Sequence, residues 1–426
     1  MKARILRGAS EVGGSVIELE HQGDRIVLDA GAPLRPVSYA ELMPDVPGLW
    51  SDGDGSLKAL FLTHGHPDHY GLADLVSSRV PQYMGKHAKA IIDEAVFFGG
   101  RQPGFELAGF LEPERTIQAG AFTVTPFLVD HSGFDAFALL IEAAGDSLFY
   151  TGDIRFHGRK SHRMKHLGGM LPTNLDCLLV EGTNLGRPSA ETDLRSEDDL
   201  ESHLTNRFRE LNGAALCFYS GQNIDRLVTV YRAAMRSGRK LVLDLYGASV
   251  SAATGRPTIP QSSWEGVRVY VRQSERRRVE ESLGHDRIDK IENDVITAKE
   301  IRANPAGWVI TARPDTVREL ARAACLGDAA AFWLQWFGYI RTDSRTVAAL
   351  RKLGINLEVA HVSGHATPAD LIRFAKQVDP QTLVPIHSDF PHLWIDQGLP
   401  VCLTPNGEWW KVGSPRVGAT IKGANE

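Results

Sequence analysis

The chain has 426 residues, 43% hydrophobic and 23% charged, with a formal net charge of -5. This is ordinary globular composition without a global basic signature, so any hold on nucleic acid must come from a local groove. The length exceeds one ordinary core and predicts two domains or one domain with a large insertion. Cys177, Cys217, Cys325 and Cys402 share no paired spacing, which argues for a reducing compartment and against a disulfide framework or zinc ribbon.

In chain order, Met1 to Arg4 lead into a short strand, and no apolar run of membrane-spanning length follows. The reading is a cytoplasmic protein that contacts no membrane. Residues 15–20 and 25–29 read as a hairpin around a turn at 21–24. Residues 59–62 form the next strand and feed a loop holding Thr63, His64, His66, Asp68 and His69. Residues 71–77 read as a helix. Strands at 122–127 and 137–142 flank His131, a strand at 147–150 ends in Thr151, Gly152 and Asp153, and one at 177–180 ends in Glu181.

Composition changes after Gly186. Ser196 and Asp199 suggest a helix start, with Leu200, Leu204, Phe208 and Leu211 as its apolar stripe. A strand at 214–219, a helix at 223–236 and a strand at 241–245 imply a parallel sheet. A strand at 308–311 and a helix at 315–325 continue it. The first pattern then returns, with a strand at 357–362. Thr367, Pro368 and Asp370 open a helix to about residue 378, and a strand at 383–386 ends at His387. Residues 418–426 read as a frayed tail.

Polar residues thus recur at the ends of apolar strands, where a rigid sheet can hold ligands open to substrate. Imidazole nitrogen and carboxylate oxygen suit zinc and its transition-series neighbours. His64 and His66 can converge on one ion, and Asp68 and His69 can reach a second.

The spacing HxHxDH, then a lone His131, a lone Asp153 and a late His387, resembles the metallo-β-lactamase superfamily. Glu11, Val12, Gly13 and Gly14, followed by Asp29, Ala30 and Gly31, resemble the opening of its nuclease branch. Glu181, the run from His361 through Ser363, Gly364 and His365 to Ala366, and Pro385 to His387 resemble the extra motifs of the beta-CASP group, which includes ribonuclease J and RNA 3′-end processing endonucleases. Ser220, Asn223 and Arg226 resemble a phosphate-contacting segment of that group, although Gly221 and Gln222 lengthen it. Ser388 and Asp389 after His387 also depart from the common pattern.

The resemblance implies an α/β protein: an αββα metallo-β-lactamase sandwich, residues 1–195 and 356–426, with an inserted α/β beta-CASP domain at 196–355. It implies two divalent ions, zinc or manganese. One is assigned to His64, His66 and His131, the other to Asp68, His69 and His387, and Asp153 bridges them. Asp68 would orient the attacking water and His365 would donate to the phosphorane or leaving oxygen. Glu181 would fix a histidine, and Ser363, His365, Ser220, Asn223 and Arg226 would contact phosphate. The implied activity is metal-dependent hydrolysis of RNA or single-stranded DNA through a dinuclear metal-bound hydroxide, by exo- or endonuclease action. Rival readings are a small-molecule hydrolase of lactone, thioester or phosphodiester bonds on the same site, and a non-catalytic binding module. Monomer and homodimer both stay open.

Other groups read more plainly. Arg276, Arg277 and Arg278 sit among acids as a solvated helix face. Trp333, Trp336, Phe337 and Tyr339 read first as core packing and second as base stacking. His157, His162 and His166 read as surface residues, and His361 as a support for His365.

Overall fold

Side chains alternate across each strand, so every strand sorts its residues onto two faces. In the strand Val16–His21, Ile17 and Leu19 enter one core while Val16 enters another. The strand Asp24–Leu28 repeats this with Ile26 and Leu28 against Val27, and Leu57–Phe61 with Ala59 and Phe61 against Leu60. The computed structural model describes residues 1–413 apart from 36, 102–103, 188–193, 283 and 292–293. The tail expected at 418–426 lies outside the described residues.

Two sheets stack through the shared core. The first has seven strands in the order Trp410–Lys411, Lys2–Arg7, Val16–His21, Asp24–Leu28, Leu57–Phe61, Gln82–Gly85, Gly109–Leu111. The second has six: Leu383–Ile386, Cys177–Glu181, Asp146–Tyr150, Phe137–Ala143, Phe122–Leu128, Ile117–Ala119. Their facing residues, among them Ile17, Phe61, Phe137, Leu148, Leu179 and Ile386, form one apolar layer. Helix Lys86–Phe98 covers the outer face of the first sheet through Ala88, Ile92 and Val96. Helices Ser161–Leu167 and Pro368–Val378 cover the second through Met164, Leu167, Leu371 and Phe374. This is the expected αββα sandwich.

The inserted domain carries a third, six-stranded sheet in the order Val267–Tyr270, Lys240–Asp244, Trp308–Thr311, Ala215–Phe218, Ala330–Trp333, Leu357–Val359. All its pairings are parallel. Helices Glu197–Glu210 and Ile224–Arg236 pack on one face, and Pro314–Arg322 and Ser344–Lys352 on the other. Both faces are covered, as a parallel sheet requires.

Two expectations need correction. The helix read at 71–77 instead starts inside the histidine loop as Pro67–Tyr70, where Pro67 suits a first helical position, and only a short 3₁₀ turn follows at Ala73–Leu75. The segment 357–362 was assigned to the returning sandwich, with the insertion ending at 355. Its strand, Leu357–Val359, pairs with Ala330–Trp333 in the third sheet. No described helix is long and apolar enough to cross a membrane.

Candidate metal centre

The candidate ligands stand where strands of the two stacked sheets end. Leu57–Phe61 runs on to Thr63 and His64, Phe122–Leu128 to His131, Asp146–Tyr150 to Asp153, and Leu383–Ile386 to His387. His387 has φ +52, and Asp29, just past Asp24–Leu28, has φ +58. Neither is glycine, so each strand terminus turns sharply at a strained residue.

These ends converge. Donor atoms of His64, His66, His131 and Asp153 lie within 4.8 Å of one another, and those of Asp68, His69 and His387 do likewise. Asp153 lies between the two groups. Its Oδ2 is 3.3 Å from His69 Nε2, 3.7 Å from His64 Nε2 and 3.9 Å from His131 Nε2. Its Oδ1 is 3.7 Å from His387 Nδ1, and His387 Nε2 pairs with Asp68 Oδ2 at 3.3 Å.

His64 Nε2, His69 Nε2, His131 Nδ1 and Asp153 Oδ1 are buried without a hydrogen-bond partner among the described residues. Buried polar atoms left so are costly, and several aimed at one space fit a cation. Burial holds His64, His66 and His131 below the usual imidazole range, which leaves them as neutral ligands. Burial opposes ionisation of Asp153, but His387, His69 and His365 outweigh it and keep the carboxylate charged. The donor set therefore fits divalent metal.

Further side chains hold the ligands in place. His69 Nδ1 pairs with Asp29 Oδ2 at 2.7 Å, and Asp29 also accepts from the Thr63 amide at 2.7 Å and the Tyr150 hydroxyl at 2.8 Å. Thr183 Oγ1 pairs with His387 Nδ1 at 2.9 Å. Gly31 passes so near the Asp68 carbonyl that an added Cβ would lie 1.9 Å from its oxygen. These partners fix ring orientation and tautomer. The sequence places Asp29 and Gly31 in a motif and Thr183 at the end of the 177–180 strand, and gives none of them a role at the metals. All three follow strand ends, the same signal that identified the ligands.

A third cluster joins Asp153, Glu181 and His365. Glu181 Oε1 accepts from the Ile154 amide at 2.9 Å and lies 3.3 Å from His365 Nδ1. Burial would lower His365, but the Glu181 and Asp153 carboxylates raise it. Ser363 Oγ accepts from the His365 amide and from Asn184, each at 3.1 Å, so this hydroxyl shapes the loop. The Ser363 carbonyl accepts from Arg155 at 3.1 Å and pairs with His157 Nε2 at 2.9 Å. His157 is therefore not the free surface residue expected, whereas His162 and His166 are exposed.

The phosphate-contact group divides. Ser220 is exposed. Asn223 caps helix Ile224–Arg236 by accepting from the Arg226 amide at 3.0 Å. Asn223 also bridges Gly133, and a Cβ there would lie 3.2 Å from both the His64 and His131 rings. The loop 220–223 thus borders the metal cluster. Arg226 cannot act as the expected clamp, since it is fully buried. It pairs with Glu197 at 3.1 Å and donates to the Leu334 and Val362 carbonyls. Of the arginine run, Arg276 and Arg277 are exposed as expected, while Arg278 donates to the Phe97 carbonyl. Trp333 is buried, but Trp336 and Tyr339 are exposed, against the core-packing expectation. They follow a strand of only four residues, after which the chain turns out of the core.

A model of the metallo-beta-lactamase superfamily matches residues 9–175, and one of a Zn-dependent metallo-hydrolase RNA specificity domain matches residues 353–393. The chain is similar to ribonuclease J of Mycobacterium tuberculosis, 25% identical over 418 residues that cover 91% of this chain and 68% of that protein. It is 25% identical to ribonuclease J of Sinorhizobium meliloti over 83% of this chain and 61% of that protein. A crystal structure of a protein of unknown function from Enterococcus faecalis V583 superposes with a TM-score of 0.79 at 23% identity, over 96% of this chain and 99% of that one. That likeness is one of fold.

Proposed function

We propose, from the premise that the chain belongs to the metallo-β-lactamase superfamily and its beta-CASP nuclease group, that it is a metal-dependent nuclease hydrolysing phosphodiester bonds of RNA. The observation that carries this reading is the set of buried, unpartnered imidazole and carboxylate atoms gathered at one edge of the sandwich. In this proposal His64, His66 and His131 hold one divalent ion, Asp68, His69 and His387 a second, and Asp153 serves both. Zinc and manganese each suit the donors. When bound, such ions supply Lewis acidity toward water and a phosphoryl oxygen.

The chain's own groups do the rest. Asp68, whose side chain is 14% exposed, reaches the mouth of the site and orients the attacking water. His365, with Nδ1 turned to Glu181, presents its other nitrogen to the leaving oxygen. The Gly364 amide and the exposed Ser220 receive phosphate oxygens, whereas the His365 and Ala366 amides are taken up by Ser363 Oγ and the Ile154 carbonyl. A cytoplasmic location accompanies this reading.

The test uses 5′- and 3′-labelled RNA and DNA with zinc or manganese. The wild type should cleave RNA, and Asp68→Ala and Asp153→Ala should each abolish cleavage. Full activity in either variant would refute the assignment.

A further inference from the structure

The segment after Ala330–Trp333 exposes two large rings, with Trp336 at 48% and Tyr339 at 52%. Apolar surface left in water side by side calls for an occupant. The two rings touch edge to face. Their ring centroids are 5.4 Å apart at 87°, and Phe337 lies 5.8 Å from Trp336. Trp333 Nε1 donates to the Trp336 carbonyl at 3.3 Å.

The topology sets this pair beside the metal site. Ligands bind at the carboxyl ends of strands in open parallel sheets. At that end of the third sheet, the flanking strands Ala215–Phe218 and Leu357–Val359 lead to Ser220 and to Ser363 and His365. Arg226 donates to the carbonyls of Leu334 and Val362, stapling the aromatic loop to the His365 loop. His361 adds a hydrogen bond to the Leu334 backbone. The aromatic loop therefore opens at the end of the third sheet that carries Ser220 and His365.

We propose that Trp336 and Tyr339 form a stacking platform for a nucleobase of the strand whose phosphate occupies the metal site. This rests on the nuclease reading. Each ring offers a flat π face, which every base can cover, so the platform holds a base without reading its identity. A base in a duplex is already stacked on its neighbours, so the platform selects single strands. It also sets the distance between the gripped base and the cleaved bond.

The experiment measures kcat/KM for Trp336→Ala, Tyr339→Ala and Trp336→Phe on a single-stranded oligoribonucleotide. A companion set carries one tetrahydrofuran abasic residue at successive positions. Trp336→Ala should lose about tenfold on the intact strand, mainly through KM, and Trp336→Phe should recover most of it. At one position the abasic residue should cost the wild type a similar factor and cost Trp336→Ala almost nothing more. Equal losses on intact and abasic strands at every position would mean a structural role and overturn the platform. So would wild-type kcat/KM in both alanine variants. A concentration-dependent dimer broken by Trp336→Ala, with no dependence on the base, would assign the rings to self-association instead. A wild type inert on every strand would sink the nuclease reading itself, a result distinct from all of these.

Discussion

Asp29 touches no substrate in the proposed mechanism, yet His69 depends on it, because the 2.7 Å contact fixes one ring nitrogen and so aims the other. Asp29→Ala should lower metal affinity by about 10–100-fold, as read by chelator competition, with little change in secondary structure. Unchanged affinity would remove Asp29 from the site. Arg226 teaches the reverse. Its sequence position beside an N-cap resembled a backbone clamp, but helix Ile224–Arg236 is buried on more than one side, including at Ile224, Asp225, Arg226, Leu227 and Val228. Hydrophobic periodicity cannot say which way a charge points on such a helix. Arg226→Met leaves Glu197 only Arg155 and Thr229, strips the Leu334 and Val362 carbonyls of a donor, and should cost about 3–5 kcal/mol of stability, measured by denaturant unfolding. A neutral effect on stability with weakened RNA binding would restore the clamp.

At the scale of elements, the ligand-bearing strand ends were legible because alternation and abrupt polar termini mark them directly. The strands Leu57–Phe61, Asp146–Tyr150 and Leu383–Ile386 fall within a residue or two of the expected bounds. Helix Lys86–Phe98 was not legible: it starts at Gly85 with no side-chain cap and carries no first-turn acid. Strand Ala330–Trp333 was hidden by its four-residue length and the aromatic run beyond it. Glycine contacts were equally invisible, since they belong to tertiary approach. Gly31→Ala forces a Cβ onto the Asp68 carbonyl, with 1.9 Å between the ideal positions. It should shift the Pro67–Tyr70 turn and empty the Asp68, His69 and His387 group while sparing the other, so metal content should fall by about half under the proposed two-ion reading. Full metal content by elemental analysis would show that the turn tolerates the push.

Across the whole molecule, the two domains meet through buried charge. Arg155, two residues past Asp153, has no exposed surface and pairs with Asp130 at 3.3 Å, with Glu197 at 3.4 Å and with Asp225. Burial opposes ionisation of Glu197, but Arg226 and Arg155 overcome it and hold the carboxyl well below its ordinary range. A depressed folded-state pKa gives stability that is complete above the unfolded value and is lost as pH falls through the folded value. Asp130, raised by burial, works in the opposite direction. The melting temperature should therefore decline below the ordinary carboxylate range, and Glu197→Gln should flatten part of that decline while lowering stability at neutral pH. A variant whose acid profile matches the wild type would clear Glu197 of this role. The same ion cluster limits portability. Excising the inserted domain would leave Glu197, Asp225 and Arg226 without Arg155 and would leave Arg155 facing Asp130 alone. The insertion's cut surface would then hold two of these carboxylates against one guanidinium, and grafting this domain onto another hydrolase would require the recipient to supply a matching guanidinium.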